Sequence, residues 1–406
     1  MHRISQEARV SLPVFLLLAA FAGSAAASGP LLKIVNGLHT HAYPAVGNLV
    51  EAPNDQEVCT GTLIGCQTFL TAAHCVCLGT GTQCNNGNQV TAPEDLAIFF
   101  QHGLVAGVES VHVHPDFEHE PGADIAVLRL STPVNGIAPE RYNNVESPAF
   151  GTAGTVVGFG VTADDNDDAG IKRYGGIVTA DCENGDETNE GHVCWDLLDP
   201  LGAPGEDSSN CYGDSGGPLF IDFDGDAQGP VLAGVTMGGG PTCLPPAHAV
   251  DTDVYAKRAW IVAQAGGDDL SANQCGVLPS AGNAEAPIQG FEGNNTGAYN
   301  FEVPAGATVL RVALNGQERD TPNDFDLYVK AGTPASSNNW DCRSRRPGSV
   351  EACEISSPVA GTWYLQAFLD NGPGGIHQVT VTVFGVGSDE IFRDGFESGD
   401  LSNWTP

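Results

Sequence analysis

Ser215 stands in the run Cys211-Tyr212-Gly213-Asp214-Ser215-Gly216-Gly217-Pro218, one hydroxyl among three glycines and beside a carboxylate. Glycine loses more backbone entropy on folding than any other residue, so such a cluster marks backbone that takes unusual angles or approaches another group closely. Two further runs carry reactive side chains, Thr71-Ala72-Ala73-His74-Cys75 and Asp124-Ile125-Ala126-Val127-Leu128. His74 precedes Asp124 by 50 residues (124 minus 74), and Asp124 precedes Ser215 by 91 (215 minus 124). A serine hydroxyl is a weak nucleophile near neutrality and needs a base that titrates there, which imidazole at about 6.5 provides. A carboxylate on the other ring nitrogen holds the tautomer and stabilises the imidazolium that forms. Singly, a histidine between alanines reads as a packed or surface residue and an aspartate before an apolar strand as a turn cap. Together they read as nucleophile, base and orienting acid.

In this order the three runs resemble the signatures of the chymotrypsin and trypsin family of serine peptidases, over Ile34 to about Gly266. The resemblance implies an all-β fold, two six-stranded antiparallel barrels with the site in the cleft between them. It implies Ser215 as nucleophile, His74 as base, Asp124 as its orienting acid, and the amides of Gly213 and Ser215 as the oxyanion hole. Ile34-Val35-Asn36-Gly37 then matches the family's activation sequence: a cut after Lys33 frees an α-amino group that pairs with Asp214, which becomes a latch. The family's bridges imply Cys59 with Cys75, Cys182 with Cys194 and Cys211 with Cys243. Cys342 with Cys353 would staple the C-terminal region. Cys66, Cys77, Cys84 and Cys275 allow three pairings, and Cys77 with Cys84 is the easy local one.

Specificity is where the chain departs from the pattern. Trypsin-like members carry an aspartate six residues before the nucleophile, at the base of the primary pocket, and this chain has Ser209 there. Alone, that predicts a preference for apolar side chains. Aligning Asp253-Val254-Tyr255 with the family's Gly-Val-Tyr pocket strand places Asp253 opposite Ser209, with Gly238 keeping the entrance open. The expectation is therefore cleavage after Arg or Lys, including after the chain's own Lys33. The wall segment, usually Ser-Trp-Gly, is Thr236-Met237-Gly238.

The elements that must position these groups read as short strands. Apolar runs such as Ala126 to Leu130 and Val231 to Val235 are separated by Gly, Pro, Asn and Asp clusters, with one helix expected over Ala256 to Gln264. With 406 residues, the chain exceeds what one hydrophobic core fills. Residues 34–266 form the first domain, 267–288 a linker rich in small and polar residues, and 289–385 a second β-rich unit. Alternation in Thr308 to Leu314, Phe325 to Val329, Thr362 to Phe368 and Gln378 to Phe384 carries the second unit. Asn323-Asp324-Phe325-Asp326-Leu327-Tyr328-Val329 and Pro358-Val359-Ala360-Gly361-Thr362-Trp363-Tyr364-Leu365 resemble the bacterial pre-peptidase C-terminal domain, which implies a small β-sandwich able to fold alone. The resemblance leaves its role open between secretion, removal on maturation, and contact with matrix or surfaces. Residues 386–406 read as an acidic tail, similar to the C-terminal tails of exported proteins of some Gram-negative bacteria.

Acidic residues outnumber basic ones, 50 against 16, for a net charge of -34, which repels nucleic acid and anionic lipid. Arg3 and Arg9, an apolar stretch from Leu12 to Ala22, and Ala25-Ala26-Ala27 follow the order of a secretory signal peptide cut after Ala27, leaving residues 28–33 as a short propeptide. The apolar stretch is too short to span a bilayer. Twelve cysteines in an exported chain point to disulfides rather than zinc. Asp164-Asp165-Asn166-Asp167-Asp168 and Asp222-Phe223-Asp224-Gly225-Asp226 suggest calcium, but the second lacks the glycine and glutamate of an EF-hand loop, so both read as solvated turns and no cofactor is expected. Two functions fit these features: a secreted serine endopeptidase acting on proteins or peptides, and a protease-fold binding or adhesion protein acting through the second unit.

Overall fold

A computed structural model describes residues 34–385 apart from 53–55, 118–121, 185–186, 224–228, 273–274, 276–287 and 319–321. The proposed leader and propeptide, most of the linker, the tail and much of the second Asp-rich run lie outside these residues.

A two-residue strand, β1 (Leu38–His39), precedes the first barrel. The barrel comprises β2 (Val46–Glu51), β3 (Gln56–Gly65), β4 (Thr68–Thr71), β5 (Leu96–Phe100), β6 (Leu104–Val113) and β7 (Ala126–Leu130), and closes in the order β2-β3-β4-β7-β6-β5. All five residues of β5 are buried, and Phe69 meets Phe100 edge-on with ring centroids 5.9 Å apart. The second barrel comprises β8 (Ala153–Gly158), β9 (Arg173–Ala180), β10 (His192–Leu197), β11 (Pro218–Ile221), β12 (Val231–Gly239) and β13 (Ala247–Asp253). Its strands run β9-β10-β13-β12-β11-β8, and pairing of β8 with β9 closes the ring. Val156, Ile177, Val193, Trp195, Leu219 and Ala233 fill it.

Helix α2 (Val254–Gln264) starts two residues before the expected position, because Asp253 caps it: its carboxylate accepts the Tyr255 amide at 2.9 Å. A five-residue helix, α1 (Gly81–Asn85), lies in the loop that Cys77–Cys84 closes. The other disulfides are Cys59–Cys75, Cys66–Cys275, Cys182–Cys194, Cys211–Cys243 and Cys342–Cys353.

The C-terminal unit is a sandwich of two four-stranded sheets. One runs β14 (Ile288–Asn294), β21 (Ile376–Phe384), β16 (Val309–Gly316), β19 (Val350–Ser356); the other runs β15 (Gly297–Val303), β20 (Gly361–Asn371), β17 (Asp324–Ala331), β18 (Cys342–Ser344). Leu310, Val312 and Leu314 face its core with Val379, Val381 and Val383. The alternation leaves Arg311, Ala313 and Asn315 on the outer face, yet every residue of β16 is buried. The peptidase barrels cover that face. Gln101 Nε2 donates to Asn315 Oδ1 (3.1 Å) and Gln378 Oε1 (3.0 Å), the Lys172 amide donates to Gln378 Oε1 (3.0 Å), and Phe99 packs on Ala313 and Val350. Among the described residues no helix is long and apolar enough to cross a membrane.

Candidate active site

His74 lies in a single 3₁₀ turn, Ala73–Cys75, just after β4, and Asp124 lies just before β7, the neighbour of β4 in the barrel. Strand pairing therefore brings the two together. The His74 amide donates to Asp124 Oδ1 at 2.9 Å, and Nδ1 lies 2.6 Å from Oδ2. With Nδ1 carrying the proton toward Asp124, Nε2 is left as an acceptor. Burial pulls the His74 pKa down, but the hydrogen bond and charge of Asp124 outweigh it and leave the ring above its ordinary value. Asp124 is itself buried, and Thr252 Oγ1 reaches from β13 to its carbonyl at 3.0 Å, tying the second barrel to the first.

The Ser215 turn bridges both barrels. The Ser215 carbonyl accepts the Thr60 amide of β3 at 2.8 Å and lies 3.7 Å from Cys75 Sγ, against the His74 turn. On the other side the Gly216 amide donates to Thr236 of β12 at 2.8 Å. A Cβ on Gly216 would lie 2.1 Å from Thr71 Oγ1, and Gly216 and Gly213 have φ of 81° and 92°. These positions need glycine for close approach and for backbone angles that other residues adopt only with strain. Among the described residues neither the Gly213 nor the Ser215 amide donates to a protein acceptor. A pair of such amides beside a serine suits an oxyanion.

Asp214 is fully buried. Burial raises its pKa to about 7, against the pull of the Cys211 amide on Oδ2 (2.9 Å) and the Gly160 amide on Oδ1 (2.8 Å). Ile34 is buried in the core of the second barrel with Val156 and Trp195, and Val35 bridges to Ser209. Residues 34–37 form a turn, with the Gly37 amide donating to the Ile34 carbonyl at 2.5 Å.

Asp253 does not lie where the alignment put it. The residue opposite Gly238 is Val250, with Ala249 opposite Gly239, and Asp253 lies three residues further along, opposite Gly234. At about 3.3 Å per residue that is roughly 10 Å away. Its carboxylate is already engaged by the Tyr255 amide and by Ser147 Oγ. Ser209 and Gly238 stay together: Asn210, the residue after Ser209, donates from Nδ2 to the Gly238 carbonyl at 3.3 Å. Asp164 and Asp168, at the ends of the first acidic run, are held by hydrogen bonds from Thr242, Cys243 and Thr162. Sequence reasoning did not find Thr60, Thr252 or Arg173. Each sits in an ordinary strand pattern and acts through its place in the barrels rather than through a motif.

The profile of the family described as Trypsin matches residues 38–261, and that of the bacterial pre-peptidase C-terminal domain matches residues 295–368. A trypsin of Saccharopolyspora erythraea is 30% identical over 177 residues, 42% of this chain and 73% of that protein. A mouse (Mus musculus) tryptase is 30% identical over 266 residues, 58% of this chain and 91% of that protein. An 81-residue stretch is 38% identical to the Hemagglutinin/proteinase of Vibrio cholerae, over 20% of this chain and 12% of that protein. With two closed barrels and these matches, the chain belongs to the trypsin family and carries a pre-peptidase C-terminal domain. It is a serine endopeptidase, a hydrolase of peptide bonds.

Proposed function

We propose that this endopeptidase is exported and cuts proteins through an acyl-enzyme on Ser215. The observation that carries the reading is the double engagement of His74 by Asp124, through the ring and through the main chain, which leaves Nε2 as an acceptor beside the Ser215 turn. His74 Nε2 takes the Ser215 proton as Oγ attacks the scissile carbonyl, and the Gly213 and Ser215 amides receive the oxyanion. The imidazolium then protonates the leaving amine. In the second half His74 takes a proton from water, the resulting hydroxide attacks the acyl carbon, and Ser215 recovers its proton as the acid leaves. These groups complete the reaction without a cofactor. A cut after Lys33 would create the Ile34 ammonium, and buried Asp214 is the carboxylate to receive it. Export is supported by the leader-like residues 1–27 and by six disulfides, which persist in oxidising compartments.

With Asp253 committed to α2, the opposite-wall charge behind a preference for Arg or Lys is gone. We propose instead that the primary pocket, with uncharged Ser209 at its base, takes apolar side chains, and that a different peptidase cuts after Lys33. The test is kcat/KM on matched peptides differing only before the scissile bond. The expected result is that Phe, Leu or Met peptides are cleaved at least tenfold faster than Arg or Lys peptides. The reverse order would restore a charged pocket, with buried Asp251 next to Thr236 as the acid to mutate.

A further inference from the structure

The loop 159–172 between β8 and β9, with Arg173 that opens β9, is fastened on two sides. Inside, the Gly160 amide donates to Asp214 Oδ1 at 2.8 Å and the Val161 amide to the Tyr212 carbonyl at 2.8 Å, so the loop holds the Tyr212 main chain and the Asp214 side chain on either side of Gly213. Outside, three of its carbonyls take donors from the sandwich: Gly170 from Asn315 Nδ2 (2.8 Å), Asp167 from Gln317 Nε2 (2.9 Å) and Ala169 from the Glu318 amide (2.9 Å). The contact is close, since a Cβ on Gly170 would lie 2.4 Å from the Gly316 carbonyl. Arg173, with no exposed surface, connects the two sides, donating from Nη1 to Gly160 O (2.6 Å) and from Nη2 to Asp168 O (2.7 Å). A path of hydrogen bonds and main chain thus runs from Asn315 and Gln317 through residues 167–170, Arg173 and Gly160 to Asp214, the neighbour of Ser215.

A contact that only glued two domains together would have no reason to end on the loop that holds the Asp214 carboxylate. Without the sandwich, the carbonyls of residues 167, 169 and 170 lose their donors, and the outer half of the loop is released to water. The inner half then has only its own contacts to keep Gly160 on Asp214.

We propose that the C-terminal sandwich is an activator held in the same chain, with Asn315 and Gln317 as positioning residues that set the 159–172 loop and, through it, Asp214 and the oxyanion amides. This rests on the reading of Asp214 as the latch for the Ile34 ammonium.

The test uses the full mature chain from Ile34 with Asn315→Ala, Gln317→Ala and, as control, Thr380→Val, which loses a bond to His41 elsewhere in the same interface (2.8 Å). Three quantities are measured: kcat and KM on a small peptide, the rate at which cyanate carbamylates the Ile34 amine, and the melting temperature. Asn315→Ala and Gln317→Ala should each lower kcat at least fivefold with KM within twofold, and the amine should react faster than in the wild type, while Thr380→Val stays within twofold throughout. If Asn315→Ala loses its cooperative melt, Gln317→Ala decides the matter alone. Wild-type kcat and wild-type amine protection in the variants that fold would overturn the proposal, as would equal losses in Thr380→Val. Rapid carbamylation of the wild type would instead sink the latch reading, and the activator role is then judged on kcat.

Discussion

His74 is subject to opposing forces, burial disfavouring its charged form and Asp124 favouring it, and Asp124 wins. A base works only when neutral, so activity should be lost as pH falls through the His74 pKa, and the acid limb of kcat/KM should lie above the ordinary histidine value of about 6.5. Asp124→Asn should lower kcat by about 10³ to 10⁴, since the amide nitrogen donates to His74 Nδ1 and so favours the tautomer with the proton on Nε2, which cannot act as the base. A limb at or below the ordinary value, or a loss under tenfold, would contradict the pairing. The His74–Asp124 pair was legible in the sequence because its chemistry requires particular residue types in short contiguous runs. The glycines were only half legible. Gly213 reads as a flexible turn residue, but Gly216 is required by Thr71 and the Thr60 carbonyl of the other barrel, and no local pattern announces such a neighbour.

The strand β13 shows what register decides. It pairs with β12 across an irregularity between Thr236 and Gly238, so the residue facing the wall differs from the one a motif match selects. The helix start was misplaced for the same reason: Asp253, taken for a pocket residue, is a cap. Asp253→Ala should therefore cost about 1 kcal/mol of stability, as loss of a capping side chain does, and leave the order of peptide preferences unchanged. Denaturant melts and the matched peptide series measure both, and a changed preference with unchanged stability would return Asp253 to the pocket. Strands β7, β12, β16 and β21 were each legible from apolar runs or alternation, to within a few residues at their ends.

At the scale of the whole molecule, the barrels and the sandwich share a buried polar seam. Gln101, Asn315 and Gln378 have no exposed surface and bond one another, with Gln101 Oε1 alone of these three side chains' polar atoms left without a partner, and leaving a further such group unpaired costs about 1–3 kcal/mol. Calorimetry of the mature chain should accordingly give one cooperative transition, and Gln378→Leu should lower its midpoint by several degrees; a sandwich melting separately would contradict the shared seam. This interface was not legible in the sequence. The outer face of β16 and β21 is polar and alternates with apolar residues, as a solvated face would, and only the absence of Lys and Glu among Ala313, Asn315, Gln378, Thr380 and Thr382 hinted at a cover. The central claim, that Ser215 is a nucleophile activated by His74, is tested most directly by intact-mass measurement after an organophosphonate probe is added to the mature chain. The account predicts one adduct, on Ser215, in the wild type and none in Ser215→Ala or His74→Ala; an unlabelled wild type, or labelling that survives Ser215→Ala, would contradict it.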